Sequence, residues 1–417
     1  MKLIKKEQLI RVVKNKRSVF YGEYKNIPCV IKLFEIKNDY LNELNGILLL
    51  LTEKVLTPEL IFSGLCEDKW CIITKRILNS KNVYDYLKEN KNQKKQFNVI
   101  KSVLEVNKKL AAKNIVQVDN YLKNYLIDSK DNVYVLDGGQ VIRVNKWNFI
   151  SKVKFQALIF SKLDLYQFNN FKETAFNIKS FIFNYFVQYH RYRQIIKYKK
   201  KCLRNSSDFS VTKNKGIKVY GANDESFDLS ILNNLEKLSI LKDGNSSTVF
   251  LYKDLVIKRY NIQNFWQLFK FQFCKNRAVK SWQACNVFNL IGIPSAKPVC
   301  LIVKEKRCIA FEYFFVSKKI EGINLFEHLD SFKLNESKDN AINRLTTSVL
   351  DLLYFYKVHH SDLKFSNILI NNKTGYTYLI DYDSVKFFRT QFFFKFFHKK
   401  DKIRLFENFI QYKALKK

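Results

Sequence analysis

Hydrophobic and polar positions along the chain fall into two successive series with the same order of periods. The first opens on an alternation through "NIPCVIKLFE", which has the two-residue period of a strand and sets Lys32 inside it. "NDYLNELNGILLLLTE" follows with apolar residues at helical spacing, and then come "TPELIFSG" and the strand-like "WCIITKRI". A long helical stretch is predicted from about Val83 to Ala112. The series closes on "NIVQVDNYLKNYLIDSKDNVYVLDGGQV", in which two apolar runs about a polar turn read as a hairpin.

The second series repeats this order. "SILKDGNSSTVFLYKDLVIKRYN" gives strands about a small-residue turn and carries Lys258, "NRAVKSWQACNVFNLIG" is a helix, and then come "IPSAKPVCLI" and the strand "IAFEYFFVSKKIEG". A helix near Ile342 to Tyr356 leads into "HHSDLKFSNILINNKTGYTYLIDYDSV". Such a repeat asks for two similar domains, as does a length of 417 residues, more than one core usually organises. Between the series, "YHRYRQIIKYKKKCLRNSSDFSVTKNKG" passes from a basic helical portion into a polar segment. The boundary is placed there, giving domains 1–210 and 211–417.

Each closing passage sets an Asn five positions after an Asp, and a second Asp just beyond the hairpin. These are Asp119, Asn124 and Asp137 in the first half, and Asp362, Asn367 and Asp381 in the second. Moving a phosphoryl group from ATP requires in-line positioning and cations against the phosphate oxygens more than covalent chemistry. One carboxylate orients the acceptor hydroxyl, while another carboxylate and an amide oxygen hold magnesium on the phosphates, and this spacing is that of the kinase catalytic and metal loops. Lys364 is set to meet the transferring phosphate; Tyr121 holds that place in the first half. His360 and Gln117, each two residues before its Asp, are read as packing posts beneath the metal turn.

Upstream, Lys32 and Lys258 are the candidates to grip the α- and β-phosphates, a task that normally takes a Glu from the next helix to fix the ammonium. Glu43 fits that need in the first half. The second half has no acidic residue between Asp254 and Glu305, so its helix offers only Ser281 or Gln283. The turn "KDGNSSTVF", residues 242 to 250, is expected to cap phosphates through backbone N–H groups near Gly244 and Ser246. Its counterpart "KNKRSVFYG" lacks a glycine before Gly22 and leaves Arg17 and Ser18 to cover the nucleotide. The expected architecture is α+β, a protein-kinase-like two-lobed fold present as two tandem copies.

Composition adds limits. Apolar residues at 47%, with 37 Phe and 23 Tyr, exclude wholesale disorder. Eight scattered cysteines, none in a C-x-x-C pair, read as reduced thiols, and Cys66 with Cys71 is too little for a zinc site. "MKLIKKEQLIRVVKNKRS" is charged where a signal peptide is apolar, and no segment nears the roughly 18 apolar residues of a membrane span, so residence in the cytosol is expected. The formal net charge of +35 divides into roughly +20 and +15 between the halves, a field that draws nucleic acid, acidic lipid head groups or phosphorylated saccharides. An AT-rich coding sequence would enrich the same Lys, Asn, Ile, Phe and Tyr, so the charge supports and does not decide. "KFFRTQFFFKFFHKK", residues 386 to 400, reads either as an interfacial aromatic stripe or as a core helix. "HRYRQIIKYKKK", residues 190 to 201, reads as a solvated basic helix.

"HHSDLKFSNILINNKTGYTYLIDYDSVK" with "GIPSAKPV" resembles the bacterial lipopolysaccharide kinases, in particular the 3-deoxy-D-manno-octulosonic acid (Kdo) kinase group, whose second loop reads Ile-Asp-Phe-Asp; here it is Ile380, Asp381, Tyr382 and Asp383. "VQVDNYLKNYLI" with "VYVLDGGQV" is similar to the inner-core heptose kinases of the same superfamily. The resemblance implies ATP and magnesium as cofactors, and a Kdo or heptose hydroxyl of a lipid A-linked core as acceptor, met at an anionic membrane surface, with no specific nucleic acid as partner. It implies Asp119 and Asp362 as bases, Asn124, Asn367, Asp137 and Asp381 as magnesium ligands, and Lys32 and Lys258 as phosphate clamps, with one half or both at work. A protein Ser/Thr or small-molecule kinase is the first alternative, supported by Lys364; the absence of an "A-P-E"-like segment and the short stretch after Asp381 count against it. A tandem pseudokinase scaffold or basic nucleic-acid binder is the second.

Overall fold

The computed structural model describes residues 4–13, 16–66, 68–90, 92–144, 149–164, 167, 169, 180–262, 276–306, 309–331, 337–371 and 374–415. Helices alternate with sheets whose named strand pairs are all antiparallel, an α+β organisation. The chain divides into two compact units, Met1–Val187 and Gln188–Lys417.

In the first unit, strands β1 (Ile4–Val13), β2 (Arg17–Tyr24), β3 (Ile27–Phe34), β4 (Leu60–Cys66) and β5 (Lys69–Lys75) form a sheet in the order β1-β2-β3-β5-β4. The two-residue period sorts the side chains of β3 by face. Cys29, Ile31 and Leu33 pack with Cys71 and Ile73 on one side, and Phe34 joins Tyr40, Ile47 and Ile72 on the other. Lys32 shares the second face, where helix α1 (Lys37–Thr52) lies. This helix buries Tyr40, Glu43, Gly46, Ile47 and Leu50, one stripe at helical spacing, so an acid is carried beneath the sheet within an apolar face.

The helix expected over Val83–Ala112 is broken into α2 (Val83–Glu89) and α3 (Gln93–Ala112). Asn92 accepts a hydrogen bond from the Lys95 amide and caps a new start, a role short polar side chains take in preference to continuing a helix. Short strands β6 (Lys81–Asn82), β8 (Tyr125–Ile127) and β9 (Val133–Val135) form a second sheet, β7 (Ile115–Gln117) pairs with β10 (Val141–Arg143), and α4 (Phe149–Phe160) follows. Gly46 of α1 brings this region against the loop after β9: a Cβ there would lie 1.8 Å from the Gly138 carbonyl oxygen.

Helix α5 (Ser180–Lys201) spans the divide at Val187/Gln188, so the basic stretch 190–201 goes with the second unit, upstream of the polar segment near 210. Arg191 is buried with its guanidinium 3.8 Å from the Phe355 ring centre, Ile195 is buried, and Trp282 Nε1 donates to Cys202 O at 2.8 Å. Arg193, Lys197 and Lys200 remain exposed. The basic helix is thus solvated on one face only.

The second unit holds a seven-stranded sheet of β11 (Phe209–Asn214), β12 (Ile217–Ala222), β13 (Ser239–Gly244), β14 (Ser247–Tyr252), β15 (Leu255–Tyr260), β16 (Pro298–Lys306) and β17 (Ile309–Lys318), in the order β11-β12-β16-β17-β15-β14-β13. Its last five strands repeat the arrangement of β1 to β5, and β11 and β12 extend the β16 edge. Lys32, opposite Val19 and Ile72, and Lys258, opposite Val249 and Phe315, therefore occupy the middle strand of equivalent five-stranded arrays. Helix α6 (Arg277–Ile291) is capped by Asn276 and closed by Gly292 in the left-handed region at φ 78°. Then come β18 (Ile323–Asn324), α7 (Leu325–Ser331), α8 (Ser337–Tyr356), β19 (Val358–His359), β20 (Ile368–Ile370), β21 (Thr377–Leu379), β22 (Lys386–Phe387) and α9 (Gln391–Leu415). One core joins Trp282, Phe288, Leu353, Phe365, Tyr382 and Leu405. Helix α9 buries Phe394, Asp401, Leu405 and Tyr412 while exposing Phe392, Phe393, Phe396 and Phe406, so the core reading of its aromatic stripe describes one side only.

Cys66 and Cys71 are free thiols, as are Cys29, Cys202, Cys285 and Cys300. Among the described residues no helix is long and apolar enough to cross a membrane. The Gly46–Gly138 approach yields a stability prediction. Gly46→Ala is expected to cost about 1–3 kcal/mol by overpacking, whereas Leu48→Ala on the exposed side of the same helix changes stability by less than about 0.5 kcal/mol. Urea unfolding of the two variants measures the difference, and equal midpoints would mean that the loop does not press on α1.

Candidate active sites

The same bonds hold the chemistry-bearing loop in both units. Asn124 Nδ2 donates to Asp119 O at 2.6 Å, and Asn367 Nδ2 to Asp362 O at 2.8 Å. The carbonyl of each Asn accepts the amide just past the hairpin's second strand, Leu136 N to Asn124 O at 2.8 Å and Ile380 N to Asn367 O at 3.0 Å. The next residues, Asp137 and Asp381, sit in the left-handed region at φ 62° and 65°, which Asp tolerates better than most side chains. Gln117 Nε2 donates to Leu136 O at 2.7 Å, and His360 Nε2 lies 3.1 Å from Ile380 O. Two different residue types thus brace the same carbonyl. Burial pushes the His360 pKa below its usual value, and because the Ile380 carbonyl can only accept, Nε2 is the donor.

In the first unit Lys32 Nζ contacts Glu43 Oε1 directly. Arg17 joins the pair, its Nη1 lying 3.3 Å from Glu43 Oε2 and 3.4 Å from Asp137 Oδ1, and Gly139 N donates to Glu43 Oε2 at 3.1 Å. Ser18 stays in β2, opposite Val12 and Leu33; its neighbour Arg17 enters the cluster instead. Burial works against the Glu43 charge, but Lys32 and Arg17 outweigh it and hold the carboxyl well below the usual range. Asp137 is pushed above its usual range by burial and by the Glu43 charge. Beneath Asp119, the buried Asn120 donates to Asn107 Oδ1 at 2.8 Å, and Asn107 Nδ2 donates to the Tyr125 hydroxyl at 2.8 Å, a network the sequence pattern did not announce. Tyr121 carries Lys162 Nζ 4.2 Å from its ring centre, which brings a cation beside the loop on a different residue from Lys364.

In the second unit the missing helix acid is replaced from the loop after the β20–β21 hairpin. Lys258 Nζ lies 2.7 Å from Asp381 Oδ1 and 3.5 Å from Asp383 Oδ2, and Arg277 at the start of α6 also binds Asp383, with Nε at 3.0 Å. Neither Ser281 nor Gln283 reaches the lysine: the Ser281 hydroxyl is 2.7 Å from the Tyr260 hydroxyl, and Gln283 Nε2 donates to Lys199 O at 2.5 Å. Burial alone would lower the Lys258 pKa, yet Tyr260 and the two carboxylates raise it, and Asp383 is held below its usual range by Lys258 and Arg277 against its own burial. Gly244 and Ser246 lie in the β13–β14 turn, their carbonyls accepting from Asn261 Nδ2 at 3.0 Å and Asn261 N at 3.2 Å.

Asp362 is bracketed by Lys364 Nζ at 3.1 Å, Arg404 Nη2 at 2.8 Å and Asn367 Nδ2 at 3.0 Å. Its burial opposes ionisation, but Lys364 and Arg404 keep its pKa below the ordinary carboxylate value. Helix α9 fixes this loop at three points. Asp401 accepts from the amides of His360 at 3.0 Å and Ser361 at 3.1 Å, Arg404 donates to Ser361 O at 3.1 Å, and Asn408 Oδ1 accepts from Phe365 N at 3.2 Å. Asp383, Arg277, Asp401, Arg404 and Asn408 received no role from sequence. The available signal was an acid inside a strongly basic helix and a second acid two positions after Asp381.

Among the described residues no group of three or more His, Cys, Asp or Glu side chains could hold a metal alone. Magnesium needs less, one or two protein oxygens completed by phosphates and water. Asn367 with Asp381, and Asn124 with Asp137, are the candidate hard-oxygen pairs, and each Asp is bonded to a cation, Asp381 to Lys258 and Asp137 to Arg17. Comparison with models of protein families finds none that matches the chain, and no curated protein matches it.

Glu43 gives a pH-dependent prediction. Its folded pKa lies below the unfolded value, so the stability it contributes is complete above the ordinary carboxylate range and is lost as the pH falls below it. Glu43→Gln strands Lys32 and is expected to cost about 3 kcal/mol at neutral pH, the gap closing in acid. Denaturant unfolding of both proteins at neutral and acid pH checks this; a gap that stays constant would show that the pair contributes nothing through ionisation.

Proposed function

We propose that this protein is an ATP- and magnesium-dependent phosphotransferase of protein-kinase-like two-lobed fold, present as two tandem copies, that phosphorylates a Kdo or heptose hydroxyl of a lipopolysaccharide inner core at the cytoplasmic face of a bacterial inner membrane. The observation that carries this reading is one frame found in both units: a mid-sheet lysine, an Asn bonded to the carbonyl of the Asp five residues before it, and a left-handed Asp beyond the hairpin. In this reading the Lys258 ammonium grips the ATP phosphates, beneath the turn that carries Gly244 and Ser246. Asn367 and Asp381 would hold magnesium, which when bound offsets phosphate charge. Asp362, kept ionised by Lys364 and Arg404, accepts a hydrogen bond from the acceptor hydroxyl and aims its oxygen, and Lys364 faces the phosphoryl group in transit.

The second unit is the stronger candidate for turnover. Lys364 and Arg404 flank Asp362 there, whereas Tyr121 holds the place of Lys364 in the first unit; both Asp137 and Asp381 are paired with a cation. That difference favours a supporting, pseudokinase-like role for the first unit, with Asp119, Asn124 and Asp137 retaining the frame. Lys364 against Asp362 supports a second reading, a protein Ser/Thr or small-molecule kinase using the same residues.

Incubation with labelled ATP, magnesium and a lipid A–core acceptor tests the proposal. Asp362→Asn is expected to lower kcat by about a thousandfold, and Asp119→Asn by less than about threefold. Transfer that survives Asp362→Asn would remove this residue as the base. Loss in Asp119→Asn alone would move the chemistry to the first unit, and phosphate on protein with none on glycolipid would favour the second reading.

A further inference from the structure

Helix α9 has two apolar sides, and packing accounts for only one. Phe394, Asp401, Leu405, Asn408 and Tyr412 lie at helical spacing on the side that meets the core and the Asp362 loop. By the same period, Phe392, Phe396, Ile403, Phe406 and Ile410 share the opposite side, where they are exposed, Phe392 to 82% and Phe406 to 62%. Scattered surface hydrophobes need no explanation, but five large ones in register along most of a helix form a patch that does. Exposed lysines border the patch, Lys395 and Lys402 on one side and Lys400 on the other, where Glu407 also stands, and Lys399 lies within it. The helix holds six Lys and Arg against two acids, and one of these acids, Asp401, faces inward.

We infer that the outer side of α9 is a membrane-docking surface that lies in the interface of an anionic bilayer, its Phe and Ile side chains among the acyl chains and its lysines on acidic head groups. Charge decides between this occupant and a second copy of the chain. Two copies of this face would bring their lysines together in an already strongly basic protein, whereas an anionic lipid surface complements them. Because Asp401, Arg404 and Asn408 of the same helix hold residues 360–365, docking also fixes the direction in which Asp362 meets the bilayer. The purpose of this surface rests on the lipid-linked acceptor proposed above, but its test involves no phosphate transfer and stands or falls independently.

The full-length protein is to be sedimented with vesicles of phosphatidylcholine alone and of phosphatidylcholine mixed with phosphatidylglycerol, without ATP. Binding to the mixed vesicles is expected, weakening as salt screens the lysines. The triple variant Phe392→Ser, Phe396→Ser, Phe406→Ser should lose roughly a hundredfold in affinity, each ring removing apolar burial in the bilayer, while its thermal melting stays that of the parent. Lys395→Gln with Lys399→Gln and Lys402→Gln should flatten the salt dependence. Unaltered vesicle binding by the Phe variant would overturn the inference, as would a parent protein that ignores vesicles but forms a dimer abolished by the same three changes.

Discussion

A lysine ammonium drawn into the middle strand of a sheet must meet a carboxylate, and in both units that requirement organises what surrounds it. In the first unit the acid arrives from the helix side: Glu43 stands in the buried stripe of α1, reached because residue 32 and the apolar Phe34 share a face of β3. In the second, α6 brings no acid, and the demand is met from the opposite direction by Asp381 and Asp383 after the β20–β21 hairpin. The same strand geometry accepts either solution because the lysine reaches a point where helix and hairpin loop converge.

The choice of partner has consequences for the left-handed Asp. Holding a non-glycine residue in that region costs about 1–3 kcal/mol and persists only where the surroundings over-determine it. Here the closing amide bond from Leu136 or Ile380, and the side-chain brace from Gln117 or His360, fix the backbone on either side. With Glu43 present, the first unit draws Arg17 onto Asp137 and becomes a closed cluster of two cations and two acids. Without a helix acid, the second unit leaves its lysine on the loop itself, while Arg277 takes up Asp383. Helix α9 then holds the adjoining loop rigid from below, so the Asp362 carboxylate is set by a separate element from the one that sets Asp381.

Much of this was legible in the chain. Strand and helix periods gave the order of elements in both halves, and the Asp, Asn and Asp spacings located loops that share the bond from Asn to the Asp carbonyl and the closing amide bond. Gln117 was read as a stand-in for His360 from position alone, and both bond the equivalent carbonyl. The failures share a cause. A motif is local, whereas Arg277, Asp383, Asp401, Arg404 and Asn408, and the pairing of Arg17 with Asp137, act across long separations in sequence, where only the packed structure shows who faces whom. The break between α2 and α3 was missed because Asn92 at a cap reads, in a period, like any polar surface position. The stripe of α9 resisted a single assignment because a helix apolar on both sides has no preferred face in sequence.

The most direct test of the central claim, that the second unit gathers its buried charges about a site for metal-bound triphosphate, is the equilibrium binding of ATP by titration calorimetry with and without magnesium, in the parent protein and in Lys258→Met and Asp381→Asn. The account predicts magnesium-dependent binding in the parent that Lys258→Met abolishes, and binding by Asp381→Asn that no longer responds to magnesium. Binding that is indifferent to both substitutions, or no binding of ATP by the parent at any magnesium concentration, would contradict it.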